Sequence, residues 1–135
     1  MIKYVACFFL CFPVYAQPIG AINPDVTQDN IKQTICVPGW SAKIRPPVSY
    51  TNRYKAELIT KQGFGKMADY ELDHVLPISI AGSPTNKQNL WLQPWEGKCG
   101  AKDKDVQERL YHDYVCSGRI TLQQAQKHFM PWVCK

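Results

Sequence analysis

The sequence predicts a small single-domain α+β fold stapled by disulfides, and three observations carry that reading. The chain has 135 residues, 45% hydrophobic and 20% charged. That balance suits one globular domain with a modest core and argues against disordered, collagen-like and coiled-coil chains. The spacing of apolar residues changes along the chain from a helical stripe to strand alternation and back. Behind a leading apolar segment, four cysteines remain, an even number in a short chain.

Residues 1–16 read as a signal peptide. Lys3 supplies a positive charge, an apolar run from Tyr4 to Tyr15 follows, and Val14-Tyr15-Ala16 offers a cleavage site before Gln17. The run is too short for a transmembrane helix, the other readings being an uncleaved anchor or a buried strand. Cys11 follows Leu10, not the small residue that lipid attachment requires. Cleavage removes Cys7 and Cys11 and keeps Cys36, Cys99, Cys116 and Cys134. Four cysteines in an exported domain imply two disulfides in any of three pairings. A zinc site built from all four would lack the usual C-x2-C pair. The expected location is therefore oxidising, either bacterial periplasm or outside the cell, with no membrane attachment after cleavage.

From Gln17 to residue 50 the chain reads as an extended arm, with Pro46 and Pro47 forbidding a helix at that point. Thr51 then caps a helix to Gln62, stopped by Gly63, with Tyr54, Leu58 and Ile59 as its apolar stripe. Tyr70 to Leu76 alternates as a strand that Pro77 ends, and Asn89 to Leu92 is long enough for a second. A helix from Ala101 to Cys116 is expected to bury Val106, Leu110, Tyr111, Tyr114 and Val115. Asp105, Glu108 and His112 lie on another face, at spacings of three and four. After Gly118, Thr121-Leu122-Gln123-Gln124 starts a last helix with a capping box.

Charge adds a weak hint. There are 16 Lys+Arg against 11 Asp+Glu, a formal charge of +5 that falls by one when Lys3 is removed. The excess favours acidic partners such as nucleic acid without specifying one. Lys98, Lys102, Lys104 and Arg109 gather near the start of the long helix, as a phosphate-binding rim or an ordinary solvated surface.

The informative constellation is Asp73-His74, then fourteen residues, then Asn89. A histidine is neutral enough near pH 7 to take a proton from water, and a hard cation can neutralise charge building on a phosphoryl group. At these residues the chain resembles the HNH (ββα-metal, His-Me finger) nucleases. The resemblance implies that Asp73 binds a divalent metal, His74 is the general base, and Asn89 closes the loop and holds the histidine.

It extends to Cys36-Val37-Pro38-Gly39-Trp40, Arg45-Pro46-Pro47, Asn89-Leu90-Trp91 and Lys104-Asp105 with Glu108, which look like a group of small exported bacterial HNH-like proteins. The implied organisation is an arm over 17–50 joined to an HNH-like domain over 51–135, with a ββα-metal core and flanking helices. Cys36 and Cys116 fall in segments shared with that group, which implies Cys36–Cys116 and hence Cys99–Cys134.

One departure stands out. The two metal ligands that the family pattern places after the Asn fall on Lys98 and Lys102, and a protonated lysine cannot ligate a cation. Asp105, Glu108 and His112 are the natural substitutes, with Mg²⁺ expected first and Zn²⁺ or Mn²⁺ next. Alternatively these three form a solvated helix face with weak pairs such as Lys104–Glu108. The function expected is an exported, monomeric, metal-dependent nuclease cutting DNA or RNA with little sequence preference. The alternative is an inactive exported module of the same scaffold that binds nucleic acid or another polyanion.

Overall fold

Two prolines set where the first long helix begins. The computed structural model describes residues 17–133, so the expected signal peptide over 1–16 and Cys134 lie outside the described residues. A short helix α1 (Trp40–Ile44) stops at Arg45, and α2 (Val48–Gln62) starts directly after Pro47, its extended N-cap. A proline at a helix start gives up an N–H that would have no intrahelical partner anyway, so α2 begins three residues before the expected Thr51. Thr51 is not a cap; its hydroxyl donates to the Val48 carbonyl at 3.0 Å. Gly63 ends α2 in the left-handed conformation, as its position suggests.

Strands β1 (Tyr70–His74) and β2 (Leu90–Pro94) form a two-stranded antiparallel sheet. Glu71 stands opposite Gln93, Asp73 opposite Trp91, and His74 opposite Leu90. β1 ends two residues earlier than the alternation implies. Val75 N–H still reaches the Asn89 carbonyl at 2.8 Å, but Leu76 N–H bonds instead to the Asn89 side chain. Two helices follow, α3 (Ala101–Cys116) and α4 (Leu122–Phe129). Thr121 caps α4, its hydroxyl accepting from Gln124 N–H while the Gln124 side chain accepts from Thr121 N–H.

The N-terminal segment departs most from expectation. It is no loose arm, since it contains a 3-10 helix over Gln28–Gln33 as well as α1. Gly20 N–H donates to Gln88 O, Asn23 N–H donates to Ala81 O, and Ile22 bridges to Gly82. Val26, Ile31 and Ile35 enter the core beside Leu76, Ile80, Val115, Phe129 and Trp132. A disulfide joins Cys36 to Cys116 across 80 residues of sequence and ties this segment to the end of α3. The other expected bridge, Cys99–Cys134, involves a residue outside the described ones.

The result is a small α+β domain of helices around one two-stranded sheet, with a disulfide staple. No helix among the described residues is long and apolar enough to cross a membrane.

Candidate functional site

The connection between β1 and β2 folds around one side chain, Asn89. It is fully buried, and its Oδ1 accepts from Leu76 N–H at 2.8 Å and Ala21 N–H at 3.2 Å. Its Nδ2 donates to the carbonyls of Leu76 and Ser83, both at 2.9 Å. A buried amide that fills all four bonding positions fixes the backbone around it. Gly82 makes the tight path feasible, because a Cβ there would meet the Leu76 carbonyl oxygen at 1.8 Å.

That loop delivers a carbonyl to His74. The last residue of β1, His74 is 4% exposed, and its Nε2 lies 2.9 Å from Pro84 O. A carbonyl only accepts, so Nε2 carries the proton and Nδ1 keeps the lone pair. Burial lowers the His74 pKa, assisted by the positive charges of Arg45 and Lys104; the Pro84 bond and Asp73 work the other way. The imidazole is therefore held neutral at neutral pH.

Side chains alternate along a strand, so Glu71 and Asp73 leave β1 on the face opposite His74, toward α3. There the structure holds an unexpected cation. Lys104 is fully buried, and its Nζ donates to Asp73 Oδ2 at 2.8 Å, Glu108 Oε1 at 2.5 Å and His74 O at 2.8 Å. All three ammonium protons are thereby used. Burial pulls the Lys104 pKa down, but Asp73 and Glu108 outweigh it and the net shift is upward. Lys104 is charged.

The surrounding acids are strained by one another. Glu71 is pushed up to about 7 by burial and by Asp73, Asp105 and Glu108, against the pull of Lys104. Its Oε2 is buried without a hydrogen-bond partner, as is Oε1 of Gln93 on the opposite strand. Burial also raises Glu108, opposed by Lys104, and raises Asp105, reinforced by Asp73.

Several expected residues take other places. His112 does not join Asp73 and Glu108: its Nε2 lies 2.9 Å from Ile35 O, and it lines a cavity of about 430 Å³ with Arg45 and Ser79. Lys104 is not part of a surface rim. Lys98, Lys102 and Arg109 are exposed, Lys102 pairing with Glu96.

Of the expected metal set, Asp73 and Glu108 come together, Asp105 acts on both electrostatically, and His112 bonds elsewhere. Asp73 and Glu108 do share a cation, and that cation is an ammonium. Among the described residues, no three Asp, Glu, His or Cys side chains are grouped to hold a metal ion.

Comparisons with protein families, curated proteins and solved structures found no match.

Arg45 is the residue that sequence reasoning passed over. It is exposed at the end of α1, makes no ion pair among the described residues, and acts electrostatically on both His74 and Asp105. In the sequence it stood out only within Arg45-Pro46-Pro47, one of the segments that carry the family resemblance, and not as a site residue. The site therefore offers a neutral imidazole of set tautomer, an internal ammonium bound to carboxylates, and the exposed guanidinium of Arg45 acting on both His74 and Asp105, with that of Arg109 acting on Asp105. A base and a separate cation are what attack by water on a phosphate ester requires.

Proposed function

We propose that this chain is an exported nuclease of the HNH (ββα-metal, His-Me finger) type, hydrolysing phosphodiesters of DNA or RNA with little sequence preference. The observation that carries the reading is His74, whose Nε2–H is committed to Pro84 O so that Nδ1 is the basic atom. Asn89 supports it as the positioning residue by holding the loop that carries Pro84. In the reaction, Nδ1 takes a proton from water as its oxygen attacks phosphorus. The P–O bond to the leaving sugar oxygen breaks, that oxygen takes a proton from solvent water, and Nδ1 returns its proton to solvent.

Arg45, exposed and acting electrostatically on His74, would meet the phosphate, with the exposed Lys98 and Arg109 contributing further positive charge. Contacts of this kind bind backbone without reading bases, which accounts for the lack of sequence preference. The apolar leader and the Cys36–Cys116 bridge support export to an oxidising compartment.

The test is cleavage of supercoiled plasmid and of single-stranded RNA by the purified protein. His74→Ala should slow cleavage at least about 100-fold, the usual loss with a general base. An unchanged rate in the variant, or intact substrates with both proteins, contradicts the reading.

A second reading has its own observation. Because Lys104 spends every ammonium proton on the protein, the site's internal cation is closed to a phosphate. An inactive module would then bind nucleic acid or another polyanion through the exposed cations alone. Salt-sensitive retention of DNA, equal for wild type and His74→Ala and without cleavage, would select it.

A further inference from the structure

The groups around Lys104 Nζ are all oxygens: one Asp73 carboxylate oxygen, one Glu108 carboxylate oxygen and the His74 carbonyl. Carboxylates with a backbone carbonyl are the donor set that Mg²⁺, Mn²⁺ or Ca²⁺ takes. The ammonium sits 2.5–2.8 Å from each of them. A divalent ion would need the same oxygens at roughly 2.0–2.6 Å. Both cannot be held at once. We propose that Lys104 is a resident cation, occupying the position between Asp73 and Glu108 that a divalent metal would otherwise take, and that it keeps this site metal-free.

Three features make the lysine a built part of the site. Its side chain is completely buried, while Asp73 and Glu108 are 13% and 22% exposed, so the ammonium is the innermost member of the group. The Nζ also lies 5.7 Å from the centre of the Phe129 ring, a core residue of α4, which gives the charge an aromatic floor. Finally, displacing it would leave a buried lysine without acceptors, since the oxygens it uses are those the metal would claim.

Lys104 acts here through Asp73 and the end of β1, as a positioning residue for His74. The inference rests on reading Asp73, His74 and Asn89 as one site, yet its test reads metal binding and not cleavage. A failed nuclease assay therefore leaves it standing or falling by itself.

The experiment is calorimetric titration of the purified protein with Mn²⁺ alone. Wild type should show no saturable site. Lys104→Ala, which uncovers the carboxylates, should bind one Mn²⁺ per chain at least about tenfold more tightly than wild type, and Asp73→Asn in the same chain should abolish that gain. Should Lys104→Ala fail to fold, the wild-type protein decides by NMR. Its buried Lys104 ammonium should give a slowly exchanging ¹H–¹⁵N signal that Mn²⁺ does not broaden. Saturable Mn²⁺ binding by wild type that Asp73→Asn or Glu108→Gln removes, broadening of the ammonium signal, or a folded Lys104→Ala without Mn²⁺ affinity would each overturn the proposal.

Discussion

Lys104 shows how one residue can reverse its meaning between sequence and structure. By spacing it belongs to a basic cluster beside Lys98 and Lys102, and its pair with Glu108 is an ordinary one-turn helix contact, worth a few tenths of a kcal/mol at a surface. Burial changes the magnitude. Removing the ammonium leaves Asp73 and Glu108 facing each other with little solvent, and breaking a buried pair costs about 3–5 kcal/mol. Lys104→Met should lose stability on that scale in urea unfolding, and adding Asp73→Asn should restore part of it. Glu71 makes a prediction of opposite sign. Its folded pKa of about 7 lies above the ordinary 4.5, so the fold disfavours its ionised form. The stability present below the unfolded value is lost as pH rises through about 7. Glu71→Gln should therefore raise Tm by a few degrees at pH 8 and leave it nearly unchanged at pH 5. The place of Asn89 in the β1–β2 connection was legible because it depends on separation along the chain and on local bonds. Two of the three partners of Lys104, Asp73 and His74, come from β1, 31 and 30 residues away, and nothing in the local pattern announces them.

At the scale of elements, the sequence was most legible where signals are local. The bounds of α3 agree with Ala101 to Cys116, and the capping box of α4 forms as Thr121 and Gln124 imply. Thr121→Ala should accordingly cost about 1 kcal/mol, measurable by thermal unfolding. The face of α3 was less legible. Val106 and Leu110 were expected inside, yet they are 54% and 39% exposed, while Ala101, Lys104 and Val115 are buried. Apolar spacing ranks faces by hydrophobicity. It cannot anticipate a face whose central residue is a lysine paired with acids on another element. The start of α2 differed for a different reason: Pro47 was read as a barrier, whereas a proline there is a compatible first boundary.

For the whole molecule, the sheet contributes only two strands, so other connections must fix the chain. The N-terminal segment does this by supplying Val26, Ile31 and Ile35 to the core and Ala21 N–H to Asn89. Its extended, proline-broken sequence gave no sign of that role, because these contacts are to residues far along the chain. The Cys36–Cys116 bridge closes a long loop, its ends 80 positions apart in sequence, and constrains the unfolded chain strongly. Replacing both cysteines by serine should cost about 4 kcal/mol in denaturant unfolding. The same segment carries Arg45 toward His74, so loosening it should weaken the site as well as the fold. The proposed role of His74 is that of a base on water at a phosphodiester. The rate of plasmid cleavage from pH 5 to pH 8, wild type against His74→Ala, tests that role. The wild-type rate should fall as pH drops through a pKa below 6.5, where the imidazole gains its proton, and the variant should lack both the rate and its pH dependence. Equal rates and equal pH profiles in the two proteins would contradict it.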